Sequence, residues 1–233
     1  MSQAPASYKT AKSKRARGEL TRDALVIAAL EIFGRDGYHA ASTRDIAELA
    51  NANQALINYH FTGKQGLYLA VFEHIATQMT SGMGNIATEI LGSLDSIQTL
   101  PQDQKTEFAI SSLERITSRL LHMMNSKLTQ HWSNMILREQ QHPTAAFDIM
   151  HKGPMGRLFS LSTRLIALAK NIEPDSEQAK LLSILLFGQV HILKISRASV
   201  LSHMQWKEFG EKEMAIAEQQ IFLNLRALLK PDA

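Results

Sequence analysis

Residues 42–64 read Ser-Thr-Arg-Asp-Ile-Ala-Glu-Leu-Ala-Asn-Ala-Asn-Gln-Ala-Leu-Ile-Asn-Tyr-His-Phe-Thr-Gly-Lys, two short helical patterns joined at an Asn-containing turn. Ser42, three residues ahead of Asp45, starts the first as a capping box would, and its apolar stripe runs through Ile46, Ala47, Leu49 and Ala50. Asn51 takes the turn, where the backbone must turn left-handed and Asn tolerates that better than most residues other than Gly. Asn53 is a good N-cap for the second helix, in which Leu56 and Ile57 point inward. Gln54, Ala55, Asn58, Tyr59 and His60 are left facing out. Two helices in this arrangement, with a third close behind, make a helix-turn-helix, a unit that seats its second helix in the DNA major groove.

The charge distribution agrees. The net charge of the 233 residues is +3, and residues 1–64 hold nine Lys or Arg against six Asp or Glu, whereas residues 65–233 hold sixteen of each. The whole excess therefore sits with the helix-turn-helix. Lys9, Lys12, Lys14, Arg15, Arg17 and Arg22 oppose Glu19 alone over the first 22 residues. Such a run is commonly just a solubilising tail, but ahead of a helix-turn-helix residues 1–17 are expected to form a flexible basic arm along phosphates or in the minor groove.

Arg44-Asp45-Ile46-Ala47 and Tyr59-His60-Phe61-Thr62-Gly63-Lys64, followed by Leu67, resemble in type and spacing the DNA-binding domain of the TetR family of bacterial transcriptional regulators. The resemblance extends upstream through 21–37, where Ala24, Leu25, Ala28, Ala29, Ile32 and Phe33 form a stripe ending at Gly34 and Gly37, and it covers roughly residues 18–78. Two positions depart from the common pattern: Asn51 stands where Gly is usual and Asn58 where Tyr is usual. The first is conformationally harmless; the second bears on which operator is read. Arg138-Glu139-Gln140-Gln141-His142-Pro143-Thr144-Ala145-Ala146 is also similar to a subgroup of these regulators with a related C-terminal domain.

Beyond residue 64 the chain reads as helix throughout. Apolar residues recur at three- and four-residue spacing over 64–91, then through Phe108 to Leu121, Leu128 to Ile136, a stretch opened by Pro143 with a break at Gly153-Pro154, 174–199 and 208–229. No β alternation occurs, so the fold expected is all-α with about nine helices: a three-helix DNA-binding domain over 18–78 and a larger helical domain over 79–233. The absence of cysteine removes disulfides and thiolate metal sites. The longest apolar run, 181–187, is broken by Ser183 and falls short of the roughly 20 residues a membrane helix needs. No signal peptide is evident, and a cytoplasmic location is expected.

Enzyme signatures are missing: there is no His-Glu-x-x-His, no complete phosphate-binding glycine loop and no Gly-x-Ser-x-Gly elbow. The expectation is a non-enzymatic chain with no catalytic residues, no metal and no cofactor. Thr43 and Lys64 are expected on phosphate, Arg44 on guanine or phosphate, Gln54, Ala55 and Asn58 along base edges, and Tyr59 and His60 on the backbone of double-stranded DNA. The resemblance implies a homodimer formed through the last two long helices, for which Leu193 and Leu225 are candidate contacts, and a palindromic operator with half-sites about 34 to 36 Å apart. It further implies a repressor released by a small apolar or amphipathic effector. For this cavity the candidates are Met123, Trp132, Met135, Phe147 and Phe159 as adaptable walls, with His122, Arg138 and His151 as polar anchors. The alternative is an activator or adaptor of the same fold, controlled by a protein partner.

Overall fold

The computed structural model of the protein describes residues 6–126 and 129–230, with side chains described from residue 18 on. Twelve helices and no strand occur among the described residues: α1 Ala6–Ala40, α2 Thr43–Leu49, α3 Ala55–Phe61, α4 Lys64–Met83, α5 Ile86–Ile97, α6 Gln102–Asn125, α7 Gln130–Gln141, α8 Ala145–His151, α9 Pro154–Lys170, α10 Glu177–Ile195, α11 Arg197–Met204 and α12 Glu211–Leu229. The class is all-α, with more helices than the nine expected because three long segments are broken. Gly84, at φ 58°, separates α4 from α5. The break at 153–154 makes two helices of one, with Pro154 in the first turn of α9. Ser196, at φ −98° and ψ 32°, separates α10 from α11. Backbone from Ala6 is already helical, as the Ala, Lys and Arg content after Pro5 favours.

The chain divides into two compact units, one comprising residues up to Thr77 together with Asn134–Ile149, the other Gln78–Ser133 with Met150–Ala233. In the first unit, Leu25, Ala29, Phe33, Ile46, Ile57, Leu67, Val71, Phe72 and Ile75 are all at most 1% exposed. The stripes of α1, α2, α3 and the start of α4 thus share one core. Helix α1 breaks at Gly37, whose φ of 84° and ψ of 170° suit a residue without Cβ. The carbonyls left by that break are satisfied from α7: Arg138 Nη1 donates to Phe33 O at 2.8 Å and Asn134 Nδ2 to Gly34 O at 3.2 Å.

Next to Arg138 in the chain, Glu139 is 4% exposed. Its Oε1 accepts from Tyr68 Oη at 2.9 Å, and its Oε2 from the Thr144 amide and hydroxyl, both at 2.9 Å. Three donors offset the cost of burying a carboxylate. Burial, with the Glu139 hydrogen bond second, pushes the Tyr68 phenol above its usual range. Tyr68→Phe leaves Oε1 without a donor in a buried site, so we expect about 1 to 3 kcal/mol of lost stability, measured by urea unfolding followed by circular dichroism. An unchanged midpoint would mean that water replaces the phenol.

In the second unit the core is drawn from α5, α6, α9, α10 and α12, with Leu113, Ile116, Leu165, Ile166, Leu186 and Leu225 at 0% exposed. Arg226 spans from α12 to α6 through Glu114, with Nε to Oε1 at 2.6 Å and Nη2 to Oε2 at 2.8 Å. The expectation that Leu225 lies on an outward face is overturned by its complete burial, and Leu193 also packs against this core. Helix α10, with a mean hydropathy of 1.2 over 18 of its 19 residues, is long and apolar enough to cross a membrane by length and composition. This corrects the expectation that nothing here reaches such a length; the unbroken apolar run ends at Phe187, but α10 continues through Val190, Ile192 and Ile195.

Candidate DNA-binding surface

Helix α2 begins at Ser42, whose Oγ accepts from the Arg44 amide at 3.1 Å. Asn51 adopts the left-handed backbone at φ 49°, and Asn53 Oδ1 accepts from the Ala55 amide at 2.8 Å, capping the start of α3. Ile57 and Phe61 anchor α3 at 1% and 5% exposed, and Leu56 is half-buried. The opposite face of α3 is therefore fixed to look outward.

That face carries Gln54, Ala55, Asn58 and Tyr59, all exposed, with His60 half-buried at its edge. Tyr59 is 80% exposed, so it is no core residue; its ring meets that of His60 edge-on at 4.9 Å. Arg44 is exposed on α2. Thr43 and Gln54 are joined, the Gln54 amide donating to Thr43 Oγ1 at 2.9 Å. Lys64, at the start of α4, donates to His39 O at 3.3 Å and lies 4.8 Å from the centre of the Tyr38 ring. The eight expected residues thus fall on α2, on α3 and its N-terminal flank, and at the start of α4, within one unit. Arg22 adds a further cationic side chain, its guanidinium 5.2 Å from the centre of the Phe61 ring. Its basic companions Lys9, Lys12, Lys14, Arg15 and Arg17 have side chains outside the described residues.

Gly66 was not anticipated from the sequence, and it lies where α4 passes close beneath the end of α3. Thr62, at φ 58°, and Gly63, at φ 109°, turn the chain left-handed, and α4 then starts so close beneath α3 that a Cβ on Gly66 would lie 1.6 Å from Phe61 O. A glycine inside a first turn is unfavourable for the helix by about 1 kcal/mol, a cost that points to close backbone approach.

The effector candidates are distributed over both units. In the first, Met135 is fully buried, Phe147 is half-buried and Arg138 borders a cavity of about 510 Å3 with Tyr38 and Tyr68. In the second, Trp132 is 7% exposed, Met123 Sδ packs against Gly82, His122 Nε2 lies 4.0 Å from Glu218, and His151 is exposed. Phe159 meets Phe187 edge-on at 5.5 Å and borders a second cavity of about 470 Å3 with Ser160, Thr163 and Arg164. No group of three or more metal-ligating residues occurs among the described residues.

Residues 25–71 match the family model for bacterial regulatory proteins of the tetR family, and residues 109–230 match that for the C-terminal domain of the HTH-type transcriptional dual regulator CecR. The chain belongs to the TetR family. The CecR dual regulator of Shigella flexneri is 29% identical over 215 residues, covering 92% of this chain and 93% of the relative. The transcriptional activator FasR of Mycolicibacterium smegmatis is 40% identical over 62 residues, 27% of this chain and 28% of its own length. Among solved structures, a TetR-like regulator from Rhodococcus sp. RHA1 superposes with a TM-score of 0.62 at 18% identity, covering 89% of this chain and 95% of the other. This TetR-family chain is a transcriptional regulator with a DNA-binding helix-turn-helix.

Proposed function

We propose that the protein is a non-enzymatic, cytoplasmic homodimer that represses transcription from a palindromic operator and is released by a small molecule. The observation that carries DNA reading is the outward face of α3, where Gln54, Asn58 and Tyr59 are exposed, with Arg44 exposed on α2 and Lys64 at the start of α4. Asn58 has the amide that pairs bidentately with adenine N6 and N7, Arg44 suits guanine or phosphate, and Thr43, Tyr59, His60 and Lys64 suit the backbone. Ala55 leaves room for a thymine methyl. Thr43 and Gln54 exchange their mutual hydrogen bond for DNA contacts on binding.

Dimerisation is supported by α10, where Leu181, Ile184, Leu185, Ile192 and Ile195 are each more than half exposed. They share one stripe with Gly188, around which nothing lies within 4 Å of an added Cβ. Leu223 of α12, at 55%, is similarly exposed. Such a face on a regulator of twofold operators fits a second copy of the same chain. Ligand release is supported by polar atoms within the second unit that lack a hydrogen-bond partner: Trp132 Nε1, Thr117 Oγ1 and Ser162 Oγ. A guest that reached these atoms would give them partners, and the cavity of about 470 Å3 at Phe159 lies in the same unit. The activator reading draws on the descriptions of two relatives, one a dual regulator and one an activator.

Binding to DNA fragments from the chain's own upstream region, by gel shift with and without competitor, tests the reading. No preference for any fragment over random DNA would overturn it. Salt dependence refines it, because Lys and Arg release condensed counterions from phosphates. Deleting residues 1–17 should lower affinity and flatten the slope of log K against log salt while sparing sequence preference. Equal binding by the truncated protein at all salt concentrations would make this segment a tail. Arg44→Ala or Asn58→Ala should cost about 1 to 3 kcal/mol at particular base pairs. A uniform loss over all operator variants would place the residue on phosphate instead.

A further inference from the structure

The 510 Å3 cavity of the first unit lies among the end of α1, the start of α4 and the end of α7. Its apolar walls are Tyr38, Tyr68, Leu69, Ala40 and Ala145, and Tyr38 and Tyr68 meet edge-on with ring centres 5.0 Å apart. The charged groups around it are not equally available. Asp36 receives Arg35 through both oxygens, at 2.8 and 2.9 Å, and Arg35 holds its carboxyl below the usual carboxylate range. Glu139 receives Tyr68 on one oxygen and Thr144 twice on the other. Both carboxylates are already served. Arg138 has five N–H donors, of which Nη1 donates to Phe33 O among the described residues.

The guanidinium is also held in place before any guest arrives. It lies against Gly37, where an added Cβ would come within 3.2 Å of Nη1 and 3.3 Å of Cζ, and its Phe33 bond fixes one edge. Arg138 lines the cavity. His39, His142 and Gln65 add further donors at the rim. Asp36 is offset by Arg35, and Tyr68 and Thr144 occupy both oxygens of Glu139, so neither offers a guest a free acceptor, whereas the guanidinium offers donors; with the aromatic walls this favours an anion with a flat apolar body.

We propose that this cavity binds an aromatic monocarboxylate, its ring against Tyr38 and Tyr68 and its carboxylate on Arg138. The site is separate from the guest proposed for the second unit. It lies on the first turns of α4, directly after α3, so a guest fastens the elements that carry the DNA-reading helix. Binding itself involves no DNA and is measured without it, so a failed operator assay and a failed binding assay are distinguishable.

The test titrates the full-length protein into 2-naphthoate, following the fluorescence anisotropy of the probe, with 2-naphthamide and 2-naphthylmethylammonium as neutral and cationic counterparts. A Kd on the order of 100 µM is expected for the carboxylate, with the other two at least about tenfold weaker. Arg138→Gln, which keeps a donor for Phe33 O, should weaken 2-naphthoate about tenfold and leave 2-naphthamide unchanged. Ala145→Trp, at an exposed position on the rim, should exclude all three probes. In the wild-type protein, nuclear Overhauser contacts from the naphthyl protons should reach the Tyr38 and Tyr68 rings, a readout that stands if either variant fails to fold. Absence of binding at millimolar probe, preference for the ammonium, or contacts to Trp132 in place of the tyrosines would overturn the proposal.

Discussion

Leu185→Glu combined with Ile192→Glu is expected to yield a folded monomer whose affinity for a palindromic operator falls by about two to four orders of magnitude. The two side chains are 55% and 52% exposed on α10, so charging them disturbs no core packing within the chain. Paired across a dimer, however, they would bury four carboxylates in an apolar seam, a cost far above what the interface could return. A single helix-turn-helix makes a small interface with DNA, and tethering its twin turns the second binding event into an intramolecular one. Sedimentation velocity reads the oligomeric state, circular dichroism the fold, and fluorescence anisotropy the operator affinity. A wild-type protein that sediments as a monomer at micromolar concentration would sink the dimer. Leu225→Glu, by contrast, should unfold the second unit, since Leu225 is fully buried.

Gly66→Ala should damage the protein without removing any group that faces DNA. The new methyl would lie 1.6 Å from Phe61 O, a backbone atom that cannot swing away as a side-chain tip would. Thr62 Oγ1 already donates to that same oxygen at 2.6 Å, and Gly63 and Thr62 already occupy left-handed backbone, so the turn has no slack. Helix α3 must therefore tilt off α4. The expected cost is about 3 kcal/mol, or roughly 6 to 12 °C in melting temperature for a chain of this size. Operator affinity should fall at least about tenfold, since a misplaced recognition helix loses base contacts worth about 1 to 3 kcal/mol each. Gly92→Ala on α5 is the control: nothing lies within 4 Å of its added Cβ, and a helical Gly exchanged for Ala should gain about 0.5 to 1 kcal/mol. Should Gly66→Ala melt and bind like the wild type, the α3–α4 angle is not what positions the reading face.

Why Gly66 escaped a reading of the sequence is instructive. The helix-turn-helix was legible because its signals are local: Ser42, Asn51 and Asn53 each mark a backbone state, and Ile46 with Ala50, then Ile57 with Phe61, lie four residues apart. Close approach of Gly66 to Phe61 O depends on how two helices cross, which no short window encodes. Glu139 was hidden for a similar reason. As a charged residue beside Arg138 on an amphipathic helix it reads as surface, and only the fold brings Tyr68, 71 residues earlier, to its carboxylate. The dimer candidates shared this weakness. Periodicity marks both faces of α10 and α12 as apolar, and burial alone separates Leu225, inside, from Leu185, outside.

The placement of Asn134–Ile149 with the residues up to Thr77 bears on how such regulators could be recombined. A graft that carried only residues 18–78 onto another sensor would leave Phe33 O and Gly34 O without Arg138 and Asn134, and would strand Tyr68 without Glu139. Chimaeras joined near residue 78 should be viable only when the host supplies an equivalent Asn-x-x-x-Arg-Glu run with a Thr five residues on. Genetic exchange of DNA-reading heads would then be confined to donors and hosts that share that internal segment, so operator preference and sensor lineage would be inherited together.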